Sequence, residues 1–162
     1  MTDLLPLLQE FYRESLVRLL RHEAAARHIV QYDANNTYQY IINREETHLS
    51  WVARAIVDLG GEVPAGQAAD DRKAAGKGAT GARNLFEEDA RDAGAFVDRW
   101  KPKVEAMNNA RHRGMLRVIL GEALEQKRSF EQALAGRTDL LGRRTEGVGK
   151  LVGEVLPTRW VE

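Results

Sequence analysis

The chain holds 14 glycines in 162 residues, and none of them falls before Gly60. The first third therefore lacks the residue that most often loosens or ends a helix, and long uninterrupted helices are expected there. From Leu5, the positions Leu8, Tyr12, Leu16, Leu19, Glu23, Ala26 and Val30 recur at steps of three and four, the stripe of a helix packed in a bundle. A first helix is predicted over 3–32. Pro6 is tolerated because it sits in the first turn, where backbone N–H groups lack intrahelical partners. Asp33-Ala34-Asn35-Asn36-Thr37 supplies turn and N-cap chemistry, with Asn36 and Gln39 spaced as a capping box. The next stripe, Tyr38, Ile41, Glu45, His48, Val52, Ala55 and Leu59, predicts a second helix over 37–60, stopped by Gly60-Gly61 and Pro64.

Residues 61–82 are rich in glycine, alanine and charge and carry no bulky apolar residue after Val63, so they read as a connector. A connector of that length belongs in a compact domain when it must travel the length of a bundle. A third helix begins near Asn84 and places Leu85, Asp89, Asp92, Phe96 and Trp100 on one stripe. Its end lies either at Pro102 or at Asn108-Asn109. A fourth helix runs over 110–135 with Met115, Ile119, Glu122, Ala123, Gln126 and Phe130 in register, before Gly136. The expected architecture is an all-α, antiparallel four-helix bundle over 1–136, with a long crossover between helices 2 and 3. Residues 137–162, which include Arg143-Arg144, are expected to form a tail packed on it.

Composition narrows the function. With 43% apolar residues the chain can bury a core as one domain. Its 24 basic and 24 acidic residues balance, so no global field draws it to nucleic acid or to a membrane. The absence of cysteine removes thiolate metal sites, disulfides and cysteine nucleophiles together. Any metal would bind through oxygen and imidazole. The N-terminal stretch has neither a cleavable apolar segment nor a spanning run, from which a cytoplasmic protein is expected.

Glu45 and His48 stand three residues apart, so both side chains project from one helix face and can converge on one ion. Such a spacing is weak alone: roughly 0.4 Glu-x-x-His pairs are expected by chance in this composition. Position adds weight, because both occupy core-stripe places and a buried carboxylate needs a compensating charge or a metal. Glu23 and Glu45 lie equally far from Ala34, about 16 Å from the bend at 1.5 Å per residue, and so at one height in a hairpin. Glu122 and Glu125 repeat the three-residue spacing on the fourth helix. Asp89 and Asp92 are the inward acids of the third, with Glu88 a lesser substitute.

The stretch REETHLSWVARAIVDLGGEVP resembles the second helix of the bacterioferritin and rubrerythrin group of the ferritin-like superfamily, and HEAAARHIVQY resembles the ligand-bearing part of its first helix. The similarity covers residues 15–64 well and the second half loosely. It implies Glu23, Glu45 and His48 as metal ligands, with Glu45 bridging. By extension the site is dinuclear, of iron or manganese, completed by Asp89, Asp92, Glu122 and Glu125, and used for oxygen or peroxide chemistry or iron handling. Metal ions are then the expected partners, with a homodimer or larger homo-oligomer as the assembly. The chain departs from the pattern at Glu125, which stands where the family has a histidine.

Blander readings stand beside these. Glu45 and His48 can form a buried ion pair or hydrogen-bonded pair tied to Arg27 or Arg44. His22, about 100° around the helix from Glu23, is expected to be exposed, and His28 and His112 are unremarkable. A bundle of this kind without a complete site would be a non-catalytic stress-related or scaffold protein.

Overall fold

A computed structural model describes residues 3–66, 68–74 and 76–136; the expected tail over 137–162 lies outside the described residues. Among the described residues four helices follow one another, with no strand: α1 (Leu4–Ala26), α2 (Tyr32–Asp58), α3 (Gly78–Glu105) and α4 (Ala110–Leu134). α1 packs chiefly on α2 and α3 on α4, and α2 also touches α4. None of these helices is long and apolar enough to cross a membrane.

The caps show why each helix begins where it does. Asp3 accepts from the N–H of Leu5, Gln31 from that of Ala34 at 2.6 Å, and Asn109 from that of His112 at 3.0 Å. The α1–α2 turn differs from the expected one: α1 stops at Ala26, and Asp33–Thr37 belongs to the first turns of α2. Asn35 is the cause. Its amide donates to the carbonyls of Ala26 and Ile29, both at 3.0 Å, and so satisfies the last carbonyl of α1 and one in the turn after it. Asp33 in the first turn of α2 adds favourable charge at the helix N-terminus.

α2 ends as its glycines require. Gly60 adopts φ 80°, and the N–H of Gly61 reaches back to the carbonyl of Ile56 at 3.0 Å while that of Gly60 bonds Val57 at 2.9 Å. α3 starts at Gly78, several residues before the expected Asn84, so part of the glycine-rich connector is helix. Pro102 does not end α3, which runs on to Glu105; so near the C-terminus it removes little of the ladder. α4 matches expectation within one residue.

The core divides into two apolar clusters. One joins Leu8, Phe11, Val52, Ile56, Phe96, Trp100, Val104, Leu116 and Leu120. The other joins Leu19, Ala26, Tyr38, Ile41, Leu49, Leu85 and Phe130. Along α1, α2 and α4 the buried or half-buried polar residues Arg18, His22, Glu45, His48, Glu122 and Gln126 fall around the boundary between these two sets, which is where the site is built.

Candidate functional site

Glu45 is buried on α2. Its Oε1 lies 2.6 Å from His22 Nδ1, a distance that needs a shared proton, and with a carboxylate acceptor the imidazole is the donor. Arg18 approaches the other oxygen at 3.7 Å and donates to the side-chain oxygen of Gln126 at 2.8 Å, which ties α1, α2 and α4 together. The Arg18 guanidinium also lies 4.6 Å above the Phe96 ring of α3.

One turn along α2, His48 is buried and its Nε2 donates to Glu122 Oε2 of α4 at 2.8 Å. Arg44 grips the same carboxylate with two bonds, Nε to Oε1 at 2.8 Å and Nη2 to Oε2 at 2.7 Å. Burial is the largest influence on His48 and lowers its pKa below 6.5, outweighing the attraction of Glu122. Burial raises the Glu122 carboxyl, but the Arg44 and His48 bonds together hold it below 4.5. At neutral pH the pair is a neutral imidazole donating to a carboxylate.

Asp89 is the most buried of the acids and faces a third arrangement. It accepts from the Tyr38 hydroxyl of α2 and from Arg72 Nη1 at 2.8 Å. Burial, then the neighbouring Asp89 charge, raises the Tyr38 pKa well above 10.0.

The structure thus brings Glu45, His48 and Glu122 together in one polar layer, and turns Asp89 inward nearby. It leaves three other expected ligands outside the layer. Glu125 is exposed and bonds Arg128 at 3.0 Å. Asp92 is nearly half exposed and pairs with Arg21 at 3.4 Å. Glu23 is half-buried with no ion pair or side-chain hydrogen bond among the described residues. His22, expected outside, is only 2% exposed and holds the inward place on α1. α1 carries leucines on several sides, so two neighbouring stripes satisfy the same spacing, and packing selected the one through Leu8, Phe11 and His22. Arg44 serves the layer through Glu122, whereas Arg27 bonds the Asp70 carbonyl instead.

Two members had no usable signal in the sequence. Arg18 lies on a flank of the predicted stripe, and Arg72 lies in the charged run Asp70-Asp71-Arg72-Lys73 of the supposed connector. Each inward carboxylate therefore has its own guanidinium: Arg18 for Glu45, Arg44 for Glu122, Arg72 for Asp89. Among the described residues no three His, Cys, Asp or Glu side chains are arranged as a set that could hold a metal ion.

No family model, curated protein or solved structure matches the chain.

Proposed function

We propose that the protein is a ferritin-like antiparallel bundle that holds one iron(II) or manganese(II) ion in its polar layer. The observation that carries this reading is the adjoining pair of imidazole–carboxylate contacts, His22 with Glu45 and His48 with Glu122, contributed by three helices. Two imidazoles and two carboxylates are a donor set suited to a borderline divalent cation. The ion would replace the shared protons of both contacts and draw the two pairs onto one centre. When bound, such an ion supplies redox chemistry toward oxygen or peroxide. Glu45 and Glu122 would hold it, His22 and His48 would complete its shell, and Arg18 and Arg44 would orient the carboxylates. Asp92 and Glu125, drawn outward by Arg21 and Arg128, favour one ion over a dinuclear centre.

Two features support the antiparallel, crossover-connected arrangement. Glu10 meets Lys103, Glu14 meets Arg99 and Arg21 meets Asp92, so each step up α1 matches an equal step down α3. The first cluster joins the end of α2 to the end of α3, so these two helices run the same way and need a long return connection.

The second reading is a non-catalytic bundle whose inward acids are neutralised by arginine alone, and the three guanidinium–carboxylate pairs favour it. Metal analysis separates the two. Protein from cells grown with iron and manganese is expected to carry close to one ion per chain, lost in a folded Glu45→Ala variant. Equal and negligible metal in both would sink the metal reading and leave the second. Two ions per chain would restore the dinuclear form.

A further inference from the structure

We propose that residues 68–74 of the crossover form a detachable strap, latched by Arg72, whose release opens the buried Asp89–Tyr38 pair to water while the four helices stay packed. The inference rests on the strap's own contacts and holds whether or not the polar layer binds metal. This segment has no helix or strand, and Arg72 is its one buried residue among those described. Its guanidinium donates to Asp89 at 2.8 Å, Glu88 at 3.0 Å and the Arg21 carbonyl at 3.2 Å. The remaining fastenings are polar too. The Arg72 guanidinium also reaches the Leu85 carbonyl at 3.5 Å, the Asp70 carbonyl accepts from Arg27 at 2.9 Å, the Asp70 carboxylate lies 4.0 Å from Arg21 Nη1, and His28 Nε2 bonds the Arg72 carbonyl at 3.1 Å, while within the strap Asp70 accepts from the Arg72 N–H at 2.7 Å. Among the described residues, the half-buried Ala74 is the one apolar side chain of the segment packed on a core cluster.

That chemistry separates the strap from the bundle. Unfolding the helices uncovers two apolar clusters, whereas lifting the strap exchanges hydrogen bonds and ion pairs for water. The latch is also incomplete, because Arg72 Nε is buried without a hydrogen-bond partner among the described residues. Gly76 at φ 115° and Gly78 at φ 56° adjoin the strap and supply backbone freedom at its junction with α3. Under the strap, Asp89 and Tyr38 are each 1% exposed, and the Tyr38 ring lies 6.1 Å from that of His22. Release therefore opens a lateral route toward the polar layer.

Native-state cleavage by an arginine-specific protease reads the latch directly, because the bond after Arg72 can be cut only when its side chain leaves Asp89. In the unmodified protein, fragment masses are expected to show cutting after Arg72 at a rate nearly independent of urea below the unfolding transition. Cuts inside the helices should rise steeply with urea. Asp89→Asn, which keeps Arg72 but weakens its hold, is expected to speed that cut about tenfold or more with helix cuts unchanged; Glu88→Gln should act in the same direction, more weakly. If cleavage after Arg72 follows the same urea dependence as the helix cuts, the strap opens only with global unfolding and the proposal is wrong. That comparison needs no variant, so it stands even where Asp89→Asn misfolds.

Discussion

At Glu122 two cationic or hydrogen-donating partners contend for one half-buried carboxylate, and the balance fixes how the layer responds to acid. Its folded pKa is lowered, so the folded state keeps the charge while the unfolded chain takes up a proton near 4.5. His48 behaves in the same sense: its folded pKa is lowered, and the unfolded chain binds a proton near 6.5 that the folded state resists. Both groups release stability as pH falls, His48 first and Glu122 afterwards. Urea midpoints measured from about pH 7.5 down to about pH 4 should therefore decline in two stages. Glu122→Gln should remove the lower stage, and a flat profile in the unmodified protein would contradict the assignment. Tyr38 runs the other way. Its raised pKa means that the unfolded chain loses a proton near 10.0 that the folded state retains, so stability falls as pH climbs past that value.

For the helices as elements, capping decided the boundaries. Asn36 is the residue whose spacing to Gln39 suggests a capping box, yet Asn35 makes the two bonds that close the turn. Asn35→Ala is expected to cost about 1–2 kcal/mol, since two backbone carbonyls lose their donor, whereas Asn36→Ala should stay within about 0.5 kcal/mol. Helical content followed by circular dichroism through a urea titration tests the pair, and a reversal of the order would show that the turn closes differently. At the other end of α2, a side chain at Gly60 finds open space, but φ 80° strains any L-residue. Gly60→Ala should therefore cost on the order of 1–2 kcal/mol through backbone conformation alone.

For the whole molecule, the α1–α3 seam and Trp100 hold the two helical pairs in register. Trp100 is completely buried, donates its indole N–H to Glu14 and packs edge-on against Phe11 at 5.0 Å. Trp100→Ala is expected to lose about 3–5 kcal/mol of unfolding free energy, the range for emptying a large aromatic site. The exposed ion pairs of the seam contribute little each. Acids precede bases along α1 and along α3 alike, Glu10 and Glu14 before Arg21 and Asp92 before Arg99 and Lys103, and each of the three pairs joins opposite charges. Reversing Glu14 alone should destabilise, and reversing both Glu14 and Arg99 should recover part of the loss. Additive losses in that cycle would show that the pair carries no register information.

Much of this was legible in the chain itself. Four helices, the double-glycine stop, the start of α4 at Asn109 and the inward turn of Glu45 and His48 all follow from local rules of spacing and capping, which act over one or two turns. The partners do not follow from such rules. His22 took the inward place beside Glu23 because a helix with leucines on several sides can rotate to bury either stripe, and only contact with the other three helices selects one. Arg18, Arg44 and Arg72 became the counter-charges of Glu45, Glu122 and Asp89 for the same reason: a long flexible side chain pairs with whatever acid the packing brings within its reach. Periodicity thus determined which face of α2 is polar and buried, while tertiary packing alone decided what that face touches.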